Sequence, residues 1–291
     1  MPKAILISII FWFSFVQAQE ALVPVMEEVW RLEHSLHRPE SAIFDPLKQV
    51  IYLSNITGDV SAKDGTGYIS LISKRGDLLK AQWFAGLNAP KGLGLFEDKL
   101  YIADLDKLIV VDTNTAEMIA SYPAQENAFL NDVALSSEGH VYVSDSQKSL
   151  IYHLENTGLE VFFKDANLVS PNGLYVLENK LVIAASDMEA LQPYTSRYVQ
   201  ILDLNEKTLS LFSDRTSMGS LDGVEPDGQG GFFLSDWGTG LMLHTSATAE
   251  VSLLALLEQG AADFDYVQED NLLYLPMMFS DSLIAYQIGW E

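Results

Sequence analysis

The sequence predicts an all-β chain, a six-bladed β-propeller whose last blade is closed by an N-terminal strand. Three observations carry that prediction. One pattern recurs in six segments, each segment holds two strand-like runs around a turn, and the last segment falls one strand short while an unpartnered strand precedes the first. The segments start at Glu40 (ESAIFDPLKQVIYLSN), Lys91 (KGLGLFEDKLYIAD), Asn131 (NDVALSSEGHVYVSD), Asn172 (NGLYVLENKLVIAAS), Asp222 (DGVEPDGQGGFFLSD) and Asp263 (DFDYVQEDNLLYLPM), between 40 and 51 residues apart. That spacing suits about four strands per unit, the size of a propeller blade. Six such units make residues 19–291 a single domain.

In chain order, residues 1–18 (MPKAILISIIFWFSFVQA) come first and read as a cleaved secretory signal. One positive charge at Lys3 precedes an apolar run over 4–16, and Val16 and Ala18 sit where a signal peptidase reads. The run is shorter than the ~20 residues that span a bilayer, and polar Gln19-Glu20 follow it. The mature chain is therefore expected in the periplasm or secreted, without a stable membrane anchor, as a monomer. The stretch 25–36 (VMEEVWRLEHSL) is strand-like but has no partner in the first unit. Residues 261–291 hold about one strand too few, so this stretch is assigned to the last blade. Within the units, turns such as Ser137-Glu138-Gly139 join the runs as hairpins. Closing the ring in this way leaves no open sheet edge. A solenoid would need polar caps, and none is visible.

Composition narrows the functional classes. With 48% apolar residues the chain can bury a core, so its net charge of −23 is not that of a disordered acidic tail. Such a field repels phosphate backbones, which argues against nucleic acid and for a small-molecule partner. The absence of cysteine removes disulfides, thiolate nucleophiles and thiolate metal sites. Any metal must be held by oxygen or by a few of the five histidines. His34 and His37 precede the first segment and read as ordinary strand residues pointing to opposite faces, while His140, His153 and His244 are isolated, so zinc is disfavoured.

Equivalent positions of successive blades converge on the propeller axis. Here they form a polar ring of Glu40, Lys91, Asn131, Asn172, Asp222 and Asp263. Two readings of this ring stay open. In one, Glu40, Asn131, Asn172 and Asp222 give four oxygen ligands to a hard cation, Ca²⁺ or another divalent ion, with water or substrate completing the shell. In the other, the ring is a water-filled tunnel closed by mutual hydrogen bonds, with Lys91 paired to Glu40 or Asp263. In the metal reading, Lys91 points away from the ion or binds substrate. A second set of positions, Ser54-Asn55, Ala103-Asp104, Ser144-Asp145, Ala185-Ser186 and Ser235-Asp236, ends the second strands. These pairs are expected to hold backbone by side-chain bonds. Trp237 and the run Pro276-Met277-Met278-Phe279 are candidates for an apolar wall.

These residues carry a family likeness. Pro39-Glu40-Ser41, Leu130-Asn131-Asp132, Ser170-Pro171-Asn172-Gly173-Leu174 and Leu221-Asp222-Gly223 match metal-site motifs. Over nearly its whole mature length the chain resembles the calcium-dependent six-bladed propellers of the senescence marker protein-30, gluconolactonase and luciferin-regenerating enzyme family, in the form of an exported bacterial-type member. The resemblance implies that Glu40, Asn172 and Asp222 are ligands, that Asn131 faces metal or substrate, and that Asp222 is the candidate base. Arg38-Pro39-Glu40-Ser41 replaces the G-E-G-P of gluconolactonase-like members, and no arginine is assignable to a sugar-acid contact. The expected function is a calcium-dependent hydrolase of a lactone or related ester. Asp222 and Asp263 are its catalytic candidates, and Asn131 and Lys91 its substrate contacts. The alternative is a non-enzymatic propeller, stabilised by calcium, that binds a ligand or protein.

Overall fold

A computed structural model describes residues 23–186, 199–212 and 218–291. The expected signal segment, 1–18, lies outside the described residues. Among those residues there are 24 strands and no helix, hence no helix long and apolar enough to cross a membrane. The strands form six four-stranded antiparallel sheets, five of them built from consecutive strands.

Burial falls outward along each blade, and the sequence explains why. Second strands such as Lys99–Asp104, Val141–Asp145 and Phe232–Asp236 are buried almost from end to end, because a neighbouring blade covers each face. Their residues are accordingly near-continuous apolar runs. Outermost strands such as Met118–Pro123 and Gly158–Lys164 are mostly exposed. The turn between Leu130–Leu135 and Val141–Asp145 uses Gly139 at φ +85°, whose N–H donates to Ser136 O at 2.9 Å. Glycine enters that region without a Cβ penalty. Six apolar clusters fill the six gaps between neighbouring blades. The cluster joining last blade to first sets Tyr274, Leu283 and Ala285 against Phe44, Ile51, Leu53 and Ile72.

Closure follows the expectation. Pro24–Glu33 pairs with Ser282–Trp290, from Pro24↔Trp290 to Glu33↔Ser282, as the outermost strand of the last blade. Val23 and Glu291 extend the ladder with reciprocal backbone bonds of 2.9 and 3.0 Å. Two details differ. The strand stops at Glu33, and His34 and Ser35 turn at positive φ, so Leu36 folds into the first-to-last cluster. His37 therefore lies in a loop, within 2.8 Å of the Tyr68 hydroxyl, rather than in a strand. The ring also closes without abolishing edges, since each blade keeps its outer one. Charged Glu27, Glu28, Arg31 and Glu33 on the outermost strand of the last blade oppose edge pairing there.

Candidate metal centre

Every innermost strand carries a β-bulge at the same place. In Pro39–Asp45 the register steps from Pro39↔Asn55 to Ala42↔Leu53, so Glu40 and Ser41 together face Ser54. The same step sets Lys91 and Gly92 against Ala103, and Asn131 and Asp132 against Ser144. It also sets Asn172 and Gly173 against Ala184, and Asp222 and Gly223 against Ser235. A bulge breaks strand alternation and re-aims the side chains at its site. Glu40, Lys91, Asn131, Asn172 and Asp222 consequently line one cavity of about 190 Å³, each between 3 and 6% exposed.

The sixth blade makes the same step, between Ala261↔Met277 and Asp265↔Tyr274. This puts Ala262 in the ring and Asp263 one residue deeper. Ser144 Oγ donates to Asn172 O at 2.8 Å, and Ser235 Oγ donates likewise to Ala262 O at 2.8 Å, which fixes the equivalence. The expected sixth member is thus corrected: Asp263 stands level with Ser41 and Asp132, outside the cavity of the other five. Alanine shows no polarity, so matching by polar residues slides one place onto Asp263. There Asp263 accepts the Ser41 hydroxyl at 2.6 Å. Asp132 accepts the N–H groups of Leu174 and Val133, each at 2.6 Å. A second cavity of about 250 Å³, further along the innermost strands, is lined by Asp132, Asp263, Glu225 and Asp265.

Burial dominates the electrostatics of the ring. It pushes the Glu40 carboxyl well above its ordinary value, with the Asp222 charge adding to the shift and Lys91 opposing it. Asp222 is raised to about 8 by burial and by the charge of Asp132, an effect the Asn172 side chain partly offsets. Asp132 is raised to about 7 by burial, against its two backbone bonds. Lys91 is lowered to about 8 by burial, with Glu40 working the other way. Alone, the buried carboxyls are pushed toward their neutral forms; a bound cation would oppose that shift.

Hydrogen bonding orients the oxygens. Asn172 Nδ2 donates to Leu221 O at 3.2 Å, which turns its Oδ1 the other way. Ser146 Oγ donates to Pro171 O at 2.7 Å, so it can only accept from Asn131 Nδ2 at 3.0 Å, and the Asn131 amide is fixed as well. Glu40 Oε2 and Asn172 Oδ1 are buried without any hydrogen-bond partner. Such orphans are costly in a folded protein. Two carboxylates and two carboxamide oxygens on one cavity floor form the hard, oxygen-only, doubly negative donor set that a divalent cation of the calcium class takes. Among the described residues no three His, Asp or Glu side chains cluster for a metal, in keeping with a set that is half carboxamide.

Lys91 is turned away from Glu40. Its ammonium donates to Val60 O at 3.2 Å and Ala89 O at 3.0 Å, and lies 4.4 Å from the Phe129 ring centroid. The expected Lys91 pairing with Glu40 or Asp263 does not form. The polar pairs hold backbone: Asp104 Oδ1 accepts Asn88 N and Ala89 N, Asp145 Oδ1 accepts Phe129 N, and Ser144 and Ser235 staple neighbouring blades. Ala185-Ser186 is again one place out of register, since Ala185 faces Pro171 as Asp145 faces Leu130. Of the expected wall, Trp237, Met278 and Phe279 line the cavity, while Met277 packs between blades. Ile56, Val60 and Phe129 complete the wall unanticipated. Ile56 could have been found as the residue directly after a polar pair, the place Trp237 also holds.

The bulge glycines let blades approach. A Cβ on Gly173 would overlap the Asp222 carbonyl oxygen, and neither backbone can yield without moving a ring residue. Gly173→Ala is expected to lower the melting temperature by several degrees, from an overpacking cost of about 1–3 kcal/mol, and to weaken any calcium response. Thermal unfolding with and without calcium checks both.

No protein-family model matches the chain, and no curated protein matches it in sequence. Solved structures are similar in fold. A catalytically inactive virginiamycin B lyase from Staphylococcus aureus with quinupristin superposes at TM-score 0.61 and 12% identity, over 91% of this chain and 99% of that one. A streptogramin B lyase gives 0.62 at 12%, over 92% and 98%. The Pan2 WD40 domain of Neurospora crassa gives 0.56 at 11%, over 90% and 94%. At such identities the likeness is one of fold alone, that of a β-propeller, and this chain's six four-stranded sheets make it a six-bladed one.

Proposed function

We propose that this protein is an exported, monomeric, divalent-cation-dependent hydrolase of a lactone or related ester, akin to the senescence marker protein-30 and gluconolactonase propellers. The observation that carries the reading is the orphaned pair Glu40 Oε2 and Asn172 Oδ1 beside Asp222 and the fixed Asn131 amide, on the floor of one cavity. Glu40, Asn131, Asn172 and Asp222 would hold the ion, with calcium the best match to the donor set. When bound, the ion supplies Lewis-acid polarisation of the substrate carbonyl.

The chain's own residues do the rest. The wall excludes water from the carbonyl's surroundings, and the Asn131 amide stands at the floor to orient it, while Lys91 is engaged by Val60 O and Ala89 O. Asp222 lines this cavity whereas Asp263 does not, which supports Asp222 as the group that would take a proton from the attacking water. The new C–O bond forms as the ring or alkoxy C–O bond breaks, and that proton passes to the departing oxygen, giving a hydroxy acid or an acid and alcohol.

One observation favours a second reading, a calcium-stabilised binding module. Asp222 belongs to the ligand set, and a ligating carboxylate is a weaker base. Hydrolysis of a lactone and ester panel, with calcium and with excess chelator, separates the two. Turnover that chelator abolishes is expected. Equal rates in both buffers would sink the metal-dependent enzyme, and a calcium-dependent melting temperature with no turnover at all would favour the binding module.

A further inference from the structure

Among the described residues the cavity above the ring is walled by apolar side chains, with Ser186 the one polar residue beside them. Ile56, Val60, Phe129, Trp237, Met278 and Phe279 make its wall. The polar groups near that wall are already engaged. Trp237 Nε1 donates to Ser186 Oγ at 3.2 Å, Ser146 Oγ is committed to Pro171 O and to Asn131, and Lys91 serves two backbone carbonyls. Among the described residues no arginine lines the cavity. A ligand hydroxyl entering here would give up water and meet carbon, whereas a methylene or aromatic carbon would gain contacts.

The wall is also held in place. Gly260, at φ +96°, donates its N–H to Trp237 O at 2.8 Å and accepts Met278 N–H at 2.7 Å, tying the two wall residues together through one backbone unit. A Cβ there would press on Phe279 N at 2.8 Å. Phe279 itself is 53% exposed and stands edge-on to Trp237, with centroids 6.4 Å apart. The aromatic surface therefore continues from the cavity to the rim, which is the path an apolar substrate needs. Among the described residues the charged groups that line the cavity, Glu40, Lys91 and Asp222, belong to the ring at its floor.

Resting on the hydrolase reading, we infer that the substrate is an uncharged lactone or ester with a small alkyl or aryl body and a single polar head, and not a polyhydroxylated sugar lactone. The head meets the floor, and the body fills the space between Phe129, Trp237, Met278 and Phe279.

The test has two arms. In the first, kcat/KM is measured with calcium for phenyl- and butyl-substituted δ-valerolactones and for gluconolactone; a preference of at least about hundredfold for the apolar pair is expected. In the second, the matching lactams, which resist hydrolysis, are titrated by calorimetry. The phenyl-substituted lactam is expected to bind and the sugar lactam not. Trp237→Ala and exposed Phe279→Ala should each weaken binding by about tenfold, and Trp237→Phe should retain it. If the phenyl lactam binds in this wall-dependent way but neither lactone class is hydrolysed, the hydrolase reading fails and the apolar-body inference stands. Equal or better handling of the sugar compound in either arm overturns the inference even where hydrolysis is observed. So does binding indifferent to both alanine variants, or no binding of the phenyl lactam.

Discussion

Asp222→Asn is expected to lower calcium-dependent lactone hydrolysis by about thousandfold or more, with the propeller still folded. The amide keeps the shape but removes a carboxylate ligand and the proton acceptor together, and loss of a general base alone costs about 10²–10⁴. Glu40→Gln separates the two roles. It removes a ligand whose Oε2 has no other partner but leaves Asp222 in place, so its activity should recover as calcium is raised, while that of Asp222→Asn should not. Steady-state rates against calcium concentration for both variants check this. Parallel recovery of both would leave Asp222 a ligand only, and full activity in Asp222→Asn would exclude it from the reaction.

The second large effect is on stability. In calcium-free buffer the protein should become less stable as pH rises from about 4 to about 8. The folded-state values of Asp222 and Asp132 are raised to about 8 and about 7 from the ordinary 3.8, and Glu40 and Asp263 shift the same way. Between those limits the folded chain holds more protons than the unfolded one, so stability falls with pH. Their favourable contribution is complete below the unfolded value and is lost through the folded values. Lys91, lowered to about 8, acts with the opposite sign only above that pH. On the proposed metal site, calcium would compete with those protons, so its stabilising effect should grow from pH 5 to pH 8. At a hundred times its Kd it contributes about 2.7 kcal/mol, or roughly 5–10 °C in Tm. Asp227, held low by His244 despite its burial, pulls the other way, so the pH profile is read as wild type minus Asp222→Asn. A calcium shift larger at pH 5 than at pH 8 would contradict this assignment.

Much of the fold was legible because it repeats. The alternation that marks the hairpins, the near-continuous apolar second strands and the one missing strand of the last unit are local or countable features. Five of six ring residues were legible for the same reason, each being a polar residue at the head of an apolar run. Asp263 shows where polarity misleads: the equivalent residue is Ala262, and only the pairing of Ala261 with Met277 reveals it. Ala185-Ser186 slipped in the same way, because Ala184 rather than Ala185 faces the bulge. Phe129 and Val60 gave no signal at all, since apolar residues in loops look alike whether they pack between blades or line a cavity.

The sequence by itself determined the number of blades, the strand that closes them and the oxygen-only chemistry of the ring, because period, strand count and composition do not depend on where side chains point. The tertiary structure decided what those residues face. A bulge of one extra residue in each innermost strand inverts the alternation on which any reading of strand faces depends, so which polar residue reaches the cavity follows from register between strands. The amide orientations of Asn131 and Asn172, the turning of Lys91 toward Phe129 and the apolar wall over a charged floor arise from contacts between blades far apart in the chain, and these exist only once the ring has closed.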